Sequence, residues 1–266
     1  MKERRYNDAE TRRMTEDTMR DGFCILRDHL PKAKIAVWGE RFAPLLAQHI
    51  EREGQLMNRG PGRFYVTLPF GGPFADEDIF CGPDVLTIVE NLVGQDFTMV
   101  QLATDTPVRG SDYQDIHRDA PPLFPEWGRE TPPFQLALNF PLIDVTPENG
   151  PFEVARGTHL MSKEDGMREI KSGGRPLEPI CLKAGDIMIR DVRGLHRGTP
   201  NQTGTPRPMV VIGYSRKWLL RPEVSIRIPR GIWDGLSDQA RHLLRYNQIV
   251  DSLDAPAEEI YQSFAY

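Results

Sequence analysis

The chain has 266 residues, of which 39% are hydrophobic and 27% charged, and carries a formal net charge of −5. That length supports one sizeable core without requiring two, and the composition excludes disorder, the basic stripe of a nucleic-acid binder and a membrane-spanning apolar run. Three scattered cysteines (Cys24, Cys81, Cys181) and a charged start, MKERRYNDAETRR, exclude a disulfide framework and a secretory signal, so the expectation is a soluble cytoplasmic protein.

Asn7 or Asp8 can cap a helix running to Arg20, and Asp21-Gly22 then leads into a short strand, Phe23-Cys24-Ile25-Leu26. Ile35, Trp38, Phe42, Leu45 and Leu46 recur at helical spacing and predict an amphipathic helix over 33–53, which Pro44 should kink or split. Residues 54–83 are rich in Gly, Pro and aromatics and predict a long loop with one strand at most; loops of that length are often functional. Val85, Ile88, Val89 and Leu92 predict a third helix.

Beyond Gly94 the pattern changes to short apolar segments between turn signals, predicting strands over 96–103, 134–143, 151–155, 179–182, 186–190 and 208–216. Asn149-Gly150 reads as a hairpin turn and Ala184-Gly185-Asp186 as a tight turn. The tail over 237–250 reads as an amphipathic helix capped by Ser237. The expected organisation is one domain over 1–266: a helical and loop-rich part (1–93), a β core (94–220) and a helical tail (221–266). The fold class is mainly β with flanking α. A double-stranded β-helix (jelly roll, cupin-like) with the N-terminal helices packed on it suits this best, because it closes sheets around an interior that can hold a ligand.

His117-Arg118-Asp119 places an imidazole and a carboxylate two residues apart, on one face if the segment is extended. Alone, His-x-Asp is weak and reads equally as a salt-bridged surface turn. His196 follows the apolar run Ile187-Met188-Ile189, and Arg207 lies eleven positions later. Two imidazoles and one carboxylate can form a facial triad for Fe(II), and an arginine beyond the last ligand can pair with a dicarboxylate through two parallel hydrogen bonds. The order and spacing of the set carry the weight that no single residue does.

Together with these residues, the chain resembles the phytanoyl-CoA dioxygenase-like family of Fe(II)/2-oxoglutarate oxygenases over most of its length. Met19-Arg20-Asp21-Gly22-Phe23 is similar to the family's opening "DGF" and apolar strand, and Ile116-His117-Arg118-Asp119 to its His-x-Asp segment. Glu148-Asn149-Gly150-Pro151, followed by Gly157-Thr158-His159, resembles its "ENGP…G(S/T)H" stretch. Lys183-Ala184-Gly185-Asp186, His196, Asn201 and Arg207 resemble the distal ligand and the co-substrate arginine. Two departures stand out: Arg156 where the family commonly has Pro, and Gly198 where it often has a hydroxyl.

The resemblance implies Fe(II) held by His117, Asp119 and His196, with 2-oxoglutarate and O2 as co-substrates. The far carboxylate of 2-oxoglutarate would pair with Arg207, and Gln101, Asn139 and Thr199 are further candidates for its pocket. The implied reaction hydroxylates an unactivated carbon of a small molecule, with succinate and CO2 as co-products. Related halogenases lack a carboxylate where this chain has Asp119, which argues against halogenation. His159 is assigned a structural or rim role, and His29, His49 and His242 surface or packing roles. Arg59, Arg63 and Tyr65 in the Gly-rich loop, with Trp127, Arg193 and Trp218, are the candidates for substrate contact, and the arginines among them suit an anionic substrate. No nucleic-acid or membrane partner is expected, and a monomer or homodimer is. The competing expectations are the same machinery used for desaturation, ring closure or epimerisation, a cupin-type metal protein without 2-oxoglutarate, and a silent binding protein on the same fold.

Overall fold

The computed structural model describes residues 3–53, 60–127, 130–220 and 225–253. Helix α1 (Asp8–Asp21) starts in a capping box: the Asn7 side chain accepts from the backbone of Ala9 and Glu10, and Glu10 accepts from the Asn7 N–H. It ends at Gly22, which has φ 91°, and strand β1 (Phe23–Leu26) follows. Helix α2 (Lys32–Glu53) buries the predicted stripe of Ile35, Trp38, Phe42 and Leu46.

Pro44 does not split α2. Both Pro44 and Glu40, whose carbonyl loses its partner, are exposed, so water can satisfy that carbonyl. The segment predicted as a long loop with one strand at most holds that strand, β2 (Arg63–Thr67), and also the short helix α3 (Glu77–Phe80), followed by α4 (Pro83–Val93).

The β core contains β3 (Phe97–Pro107), β4 (Gln135–Pro141), β5 (Phe152–Ala155), β6 (Leu177–Ile180), β7 (Ile187–Asp191), β8 (His196–Gly198) and β9 (Met209–Arg216). A six-stranded antiparallel sheet runs β1-β7-β4-β9-β3-β2, and a three-stranded one runs β6-β5-β8. An isolated antiparallel bridge between His117 and His196 extends the smaller sheet by one more segment. The chain passes repeatedly between the two sheets, which is the threading of a double-stranded β-helix.

Alternation along the large sheet separates its two faces. On β4, Leu136, Leu138 and Phe140 join the core under the helices, where Trp38 meets Phe140 edge-on at 5.2 Å, while Gln135, Ala137 and Asn139 line an interior cavity. On β7, Ile187 and Ile189 face the helices, and Met188 and Arg190 the cavity. The sheet is thus buried on both faces, with one of them serving a site.

Two expectations need correction, and one helix was not expected. Asn149-Gly150 does not close a hairpin, because β4 and β5 lie in different sheets; Gly150, with φ 86°, turns the chain across the gap. The tail helix stops early: α7 (Asp238–Leu244) is capped by Ser237, but Gln248–Val250 forms a strand, β11, parallel to β10 (Arg227–Pro229), with α6 (Arg230–Gly235) between. The pairing partner, not the local pattern, decides that end. Helix α5 (Lys163–Ser172) had no apolar stripe to announce it, although Ser162 caps it through the Asp165 N–H and Gly173 ends it in a left-handed turn. Among the described residues no helix is long and apolar enough to cross a membrane.

Candidate metal centre

His117 and His196 exchange backbone hydrogen bonds of 3.0 and 3.1 Å, which sets their side chains opposite each other with ring centroids 4.4 Å apart. Two residues on, the Asp119 N–H donates to the Val192 carbonyl at 2.9 Å and fixes the carboxylate on the same side. One ligand atom from each of the three residues lies within 4.8 Å of the others. Asp119 Oδ1 sits 3.7 Å from His117 Nε2 and 3.4 Å from His196 Nε2.

The protonation of this cluster follows from its neighbours. His117 Nδ1 lies 2.7 Å from the Asp115 carbonyl and His196 Nδ1 lies 2.8 Å from the Gly194 carbonyl. A carbonyl can only accept, so each Nδ1 carries a hydrogen and Nε2 is left as the atom that can serve a metal. Burial, reinforced by the neighbouring His196, pushes His117 down to about 4, so it is neutral at ordinary pH. Burial alone would raise the Asp119 carboxyl, but the charge of Arg190 leads the opposing causes and Asp119 is held well below the usual carboxylate range. Arg190 Nη2 donates to Asp119 Oδ2 at 2.6 Å, which leaves Oδ1 for the centre. Two lone pairs and a carboxylate oxygen therefore converge, an arrangement that repels itself until a cation sits between them. The donor set fits a divalent transition metal with open positions.

The triad lines one cavity together with Arg63, Arg190 and Arg207. Arg207, fully buried where the chain enters β9, donates Nη2 to the Gly150 carbonyl at 2.6 Å, and its Nε has no hydrogen-bond partner. Burial pulls its guanidinium down to about 10; Asp105 opposes that and Arg63 adds to it. Gln101 also lines the cavity and donates to the Tyr65 hydroxyl. Asn139 is committed on both sides of its amide, donating to the Val210 carbonyl and accepting from Arg190 Nε at 3.0 Å. It lines the cavity and orients Arg190.

Other candidates fall elsewhere. Thr199 is buried outside the cavity lining, with its hydroxyl donating to the Pro151 carbonyl at 2.8 Å. Arg193 is sealed among Asp191, Glu130 and Thr131, away from the cavity. Trp127 and Trp218 are each 58% exposed and take no part in the lining. Arg59 lies outside the described residues. His159 is buried and its Nε2 meets the Met19 carbonyl at 3.1 Å, a packing role. Arg190 was overlooked, and its signal was present: a charged residue at the cavity-facing parity of the apolar strand Ile187-Met188-Ile189-Arg190.

Gly198 explains the missing hydroxyl beyond the distal histidine. A Cβ there would meet the Arg63 guanidinium at 2.5 Å, so Arg63 occupies the space that a side chain would need.

Among solved structures, the non-heme epimerase SnoN from nogalamycin biosynthesis, in complex with Fe3+, alpha ketoglutarate and nogalamycin RO, matches with a TM-score of 0.60 and 19% identity, over 79% of this chain and 85% of that one. HygX from Streptomyces hygroscopicus, with nickel, 2-oxoglutarate and hygromycin B bound, matches with a TM-score of 0.59 and 16% identity, over 82% and 90%. The alpha ketoglutarate dependent carbocyclase SnoK matches with a TM-score of 0.54 and 16% identity, over 77% and 83%. At such identities these likenesses establish the fold. The profile of the family described as Phytanoyl-CoA dioxygenase (PhyH) matches residues 18–209, from the end of α1 to the first residue of β9. A match over that much of the chain makes it a member of the phytanoyl-CoA dioxygenase (PhyH) family.

Proposed function

We propose that this chain is a non-haem Fe(II)- and 2-oxoglutarate-dependent dioxygenase that hydroxylates an unactivated carbon of a small molecule. The observation that carries the reading is the inward convergence of His117 Nε2, His196 Nε2 and Asp119 Oδ1 at 3.4 to 3.7 Å, with both imidazoles locked by backbone carbonyls. His117, Asp119 and His196 would hold the iron, and Arg190 would keep Asp119 single-handed on it. The iron, when bound, supplies the activation of O2 coupled to oxidative decarboxylation of 2-oxoglutarate to succinate and CO2.

The protein's own task is geometry. Arg207, at one end of the cavity, presents a buried cation to the far carboxylate of 2-oxoglutarate. Phe152, Met188, Val192 and Val211 give the lining apolar surface that keeps water from the reacting carbon. The carboxylate of Asp119 occupies the position that a halide would need, so hydroxylation is favoured over halogenation. A second outcome, epimerisation or ring closure, is supported by the likeness to the epimerase SnoN and the carbocyclase SnoK.

The test is anaerobic titration of metal-free protein with Fe(II), with and without 2-oxoglutarate, following the weak visible metal-to-ligand charge-transfer band. Wild type should develop the band only when both are present, His196→Ala should lose it, and Arg207→Ala should need far more 2-oxoglutarate. Iron binding with no 2-oxoglutarate-dependent band would replace this reading with a cupin-type metal protein.

A further inference from the structure

Gln135 opens β4 at the end of the cavity away from Arg207. Arg207 lies just before Met209, whose partner across β9 and β4 is Pro141, and the strand from Pro141 back to Gln135 spans roughly 20 Å. The candidate metal centre is anchored nearer to Gln135. Ala137 pairs with Arg190, which donates to Asp119. The Asp119 N–H in turn donates to the carbonyl of Val192, the residue after the Asp191 that pairs with Leu136. A 2-oxoglutarate running from the metal to Arg207 therefore leaves the Gln135 side to the primary substrate.

That side carries polar groups of an unusual kind. Gln135 lines the cavity and is 2% exposed, yet no described residue hydrogen-bonds its carboxamide. Ser215 is its partner on β9, and Thr98 is the partner of Ser215 on β3, so the three side chains share one face. The Ser215 and Thr98 hydroxyls are also buried without a hydrogen-bond partner. Buried polar groups left unpaired are costly until a partner is supplied. A carboxamide backed by two hydroxyls offers donors and acceptors but no charge. Arg190, the cation on this side, has its charge matched by Asp119, and Arg193 is sealed against Asp191 and Glu130. The walls beside Gln135 are apolar: Ala137, Val192 and Val211 line the cavity and belong to one buried cluster, against which Leu123 and Leu219 pack.

We propose that Gln135 is a specificity-determining residue for the primary substrate, taking an uncharged amide or hydroxyl group of a molecule whose apolar body lies on Ala137, Val192 and Val211. The proposal rests on the oxygenase reading, which assigns the other side of the cavity to 2-oxoglutarate. It favours a neutral substrate over the anionic one that the arginines suggested, since Arg63 lies on the Arg207 side and the others are matched by carboxylates.

The experiment follows three small probes, isobutyramide, isobutyrate and isobutylammonium, on protein loaded with Mn(II) and 2-oxoglutarate. Affinity is read from the Mn(II)-induced relaxation of the probe's methyl protons, which also places the probe beside the metal. Gln135→Met keeps the length of the side chain and removes the amide. It should weaken isobutyramide by about three- to tenfold, the scale of one neutral hydrogen bond, and leave the two charged probes unchanged. Gln135→Asn, which draws the carboxamide back by one methylene, should act in the same direction and serves if Gln135→Met does not fold. A merely structural Gln135 would weaken all three probes together, and that result overturns the proposal. So does isobutyramide that binds no better to wild type than to the variants, or a charged probe that alone depends on Gln135. Protein that takes up Mn(II) but not 2-oxoglutarate overturns the oxygenase reading, and this proposal with it, before any probe is added.

Discussion

The two ends of the cavity solve opposite electrostatic problems. At the metal end the ligating side chains are tied down: each imidazole by a backbone carbonyl, and Asp119 by Arg190, itself held by Asn139. At the arginine end, Arg63 and Arg207 each keep an unclaimed Nε–H, and Asp105 is bonded to Arg63 alone. One end has excess acceptors and the other excess donors. The cavity is therefore polarised for a ligand set with a cation at one end and an anion at the other. That contrast can be broken from either side, and the sizes of the effects should differ.

The largest effect is expected at the metal end. Asp119→Ala should abolish stoichiometric Mn(II) binding, read by electron paramagnetic resonance, because it removes the only anionic ligand and leaves the Arg190 charge pointing at the ion. A variant that still binds Mn(II) with unchanged affinity would remove Asp119 from the ligand set. Next comes the arginine end. Arg207→Ala should weaken 2-oxoglutarate binding by about 2–5 kcal/mol, the scale for truncating one partner of a buried charge pair, while Mn(II) affinity in the absence of 2-oxoglutarate stays within about twofold. Equal losses of both would mean the two ends are not independent.

Arg190→Gln should fall between local and global. It keeps a donor but loses the charge, and a support of this kind typically accounts for about 10–100-fold in metal affinity. Its Nη1 is buried without a hydrogen-bond partner, so Arg190 has donor capacity left after serving Asp119 and Asn139. Metal affinity indistinguishable from wild type would show that the Asp119 backbone bond alone positions the carboxylate.

Residues of the metal end could be read from the sequence because strand parity and local spacing suffice there. His117 and Asp119 are two apart, and the apolar alternation before His196 marks a strand that ends near it. The arginine end was only half legible. Arg207 stood out by its distance from His196, but Arg63 sat in what read as a Gly-rich loop facing substrate, because its burial depends on the space at Gly198, 135 positions away. Thr199 lies outside the cavity lining for the converse reason. Being next to the right strand says nothing about direction, and at the end of β8 the chain turns its hydroxyl to the Pro151 carbonyl. The jelly roll itself was legible because its strands alternate between a core face and a cavity face. The parallel strand β11 was not, since only its partner β10 makes it a strand.

His159 supplies the smallest effect and the sharpest control on what makes a histidine a ligand. Like His117 it is buried and has one ring nitrogen against a backbone carbonyl, but its other nitrogen, Nδ1, meets no hydrogen-bond partner, and no carboxylate converges on it. Burial, countered by Asp191 and aided by Arg193, lowers its affinity for a proton below that of an ordinary histidine. The unfolded chain, whose histidines titrate at about 6.5, therefore binds more protons than the native state as pH falls below that value. The stability that His159 contributes is complete above that pH and is lost as pH drops through the lower native value. His117 acts with the same sign, in a window reaching down to about 4. In metal-free protein, His159→Gln should flatten the fall in urea midpoint between neutral and mildly acidic pH, and the His117 contribution should remain. Mn(II), which competes with protons only at the triad, should stabilise wild type and His159→Gln by the same amount at neutral pH. Unequal stabilisation would tie His159 to the metal and break the distinction between a packing histidine and a ligating one.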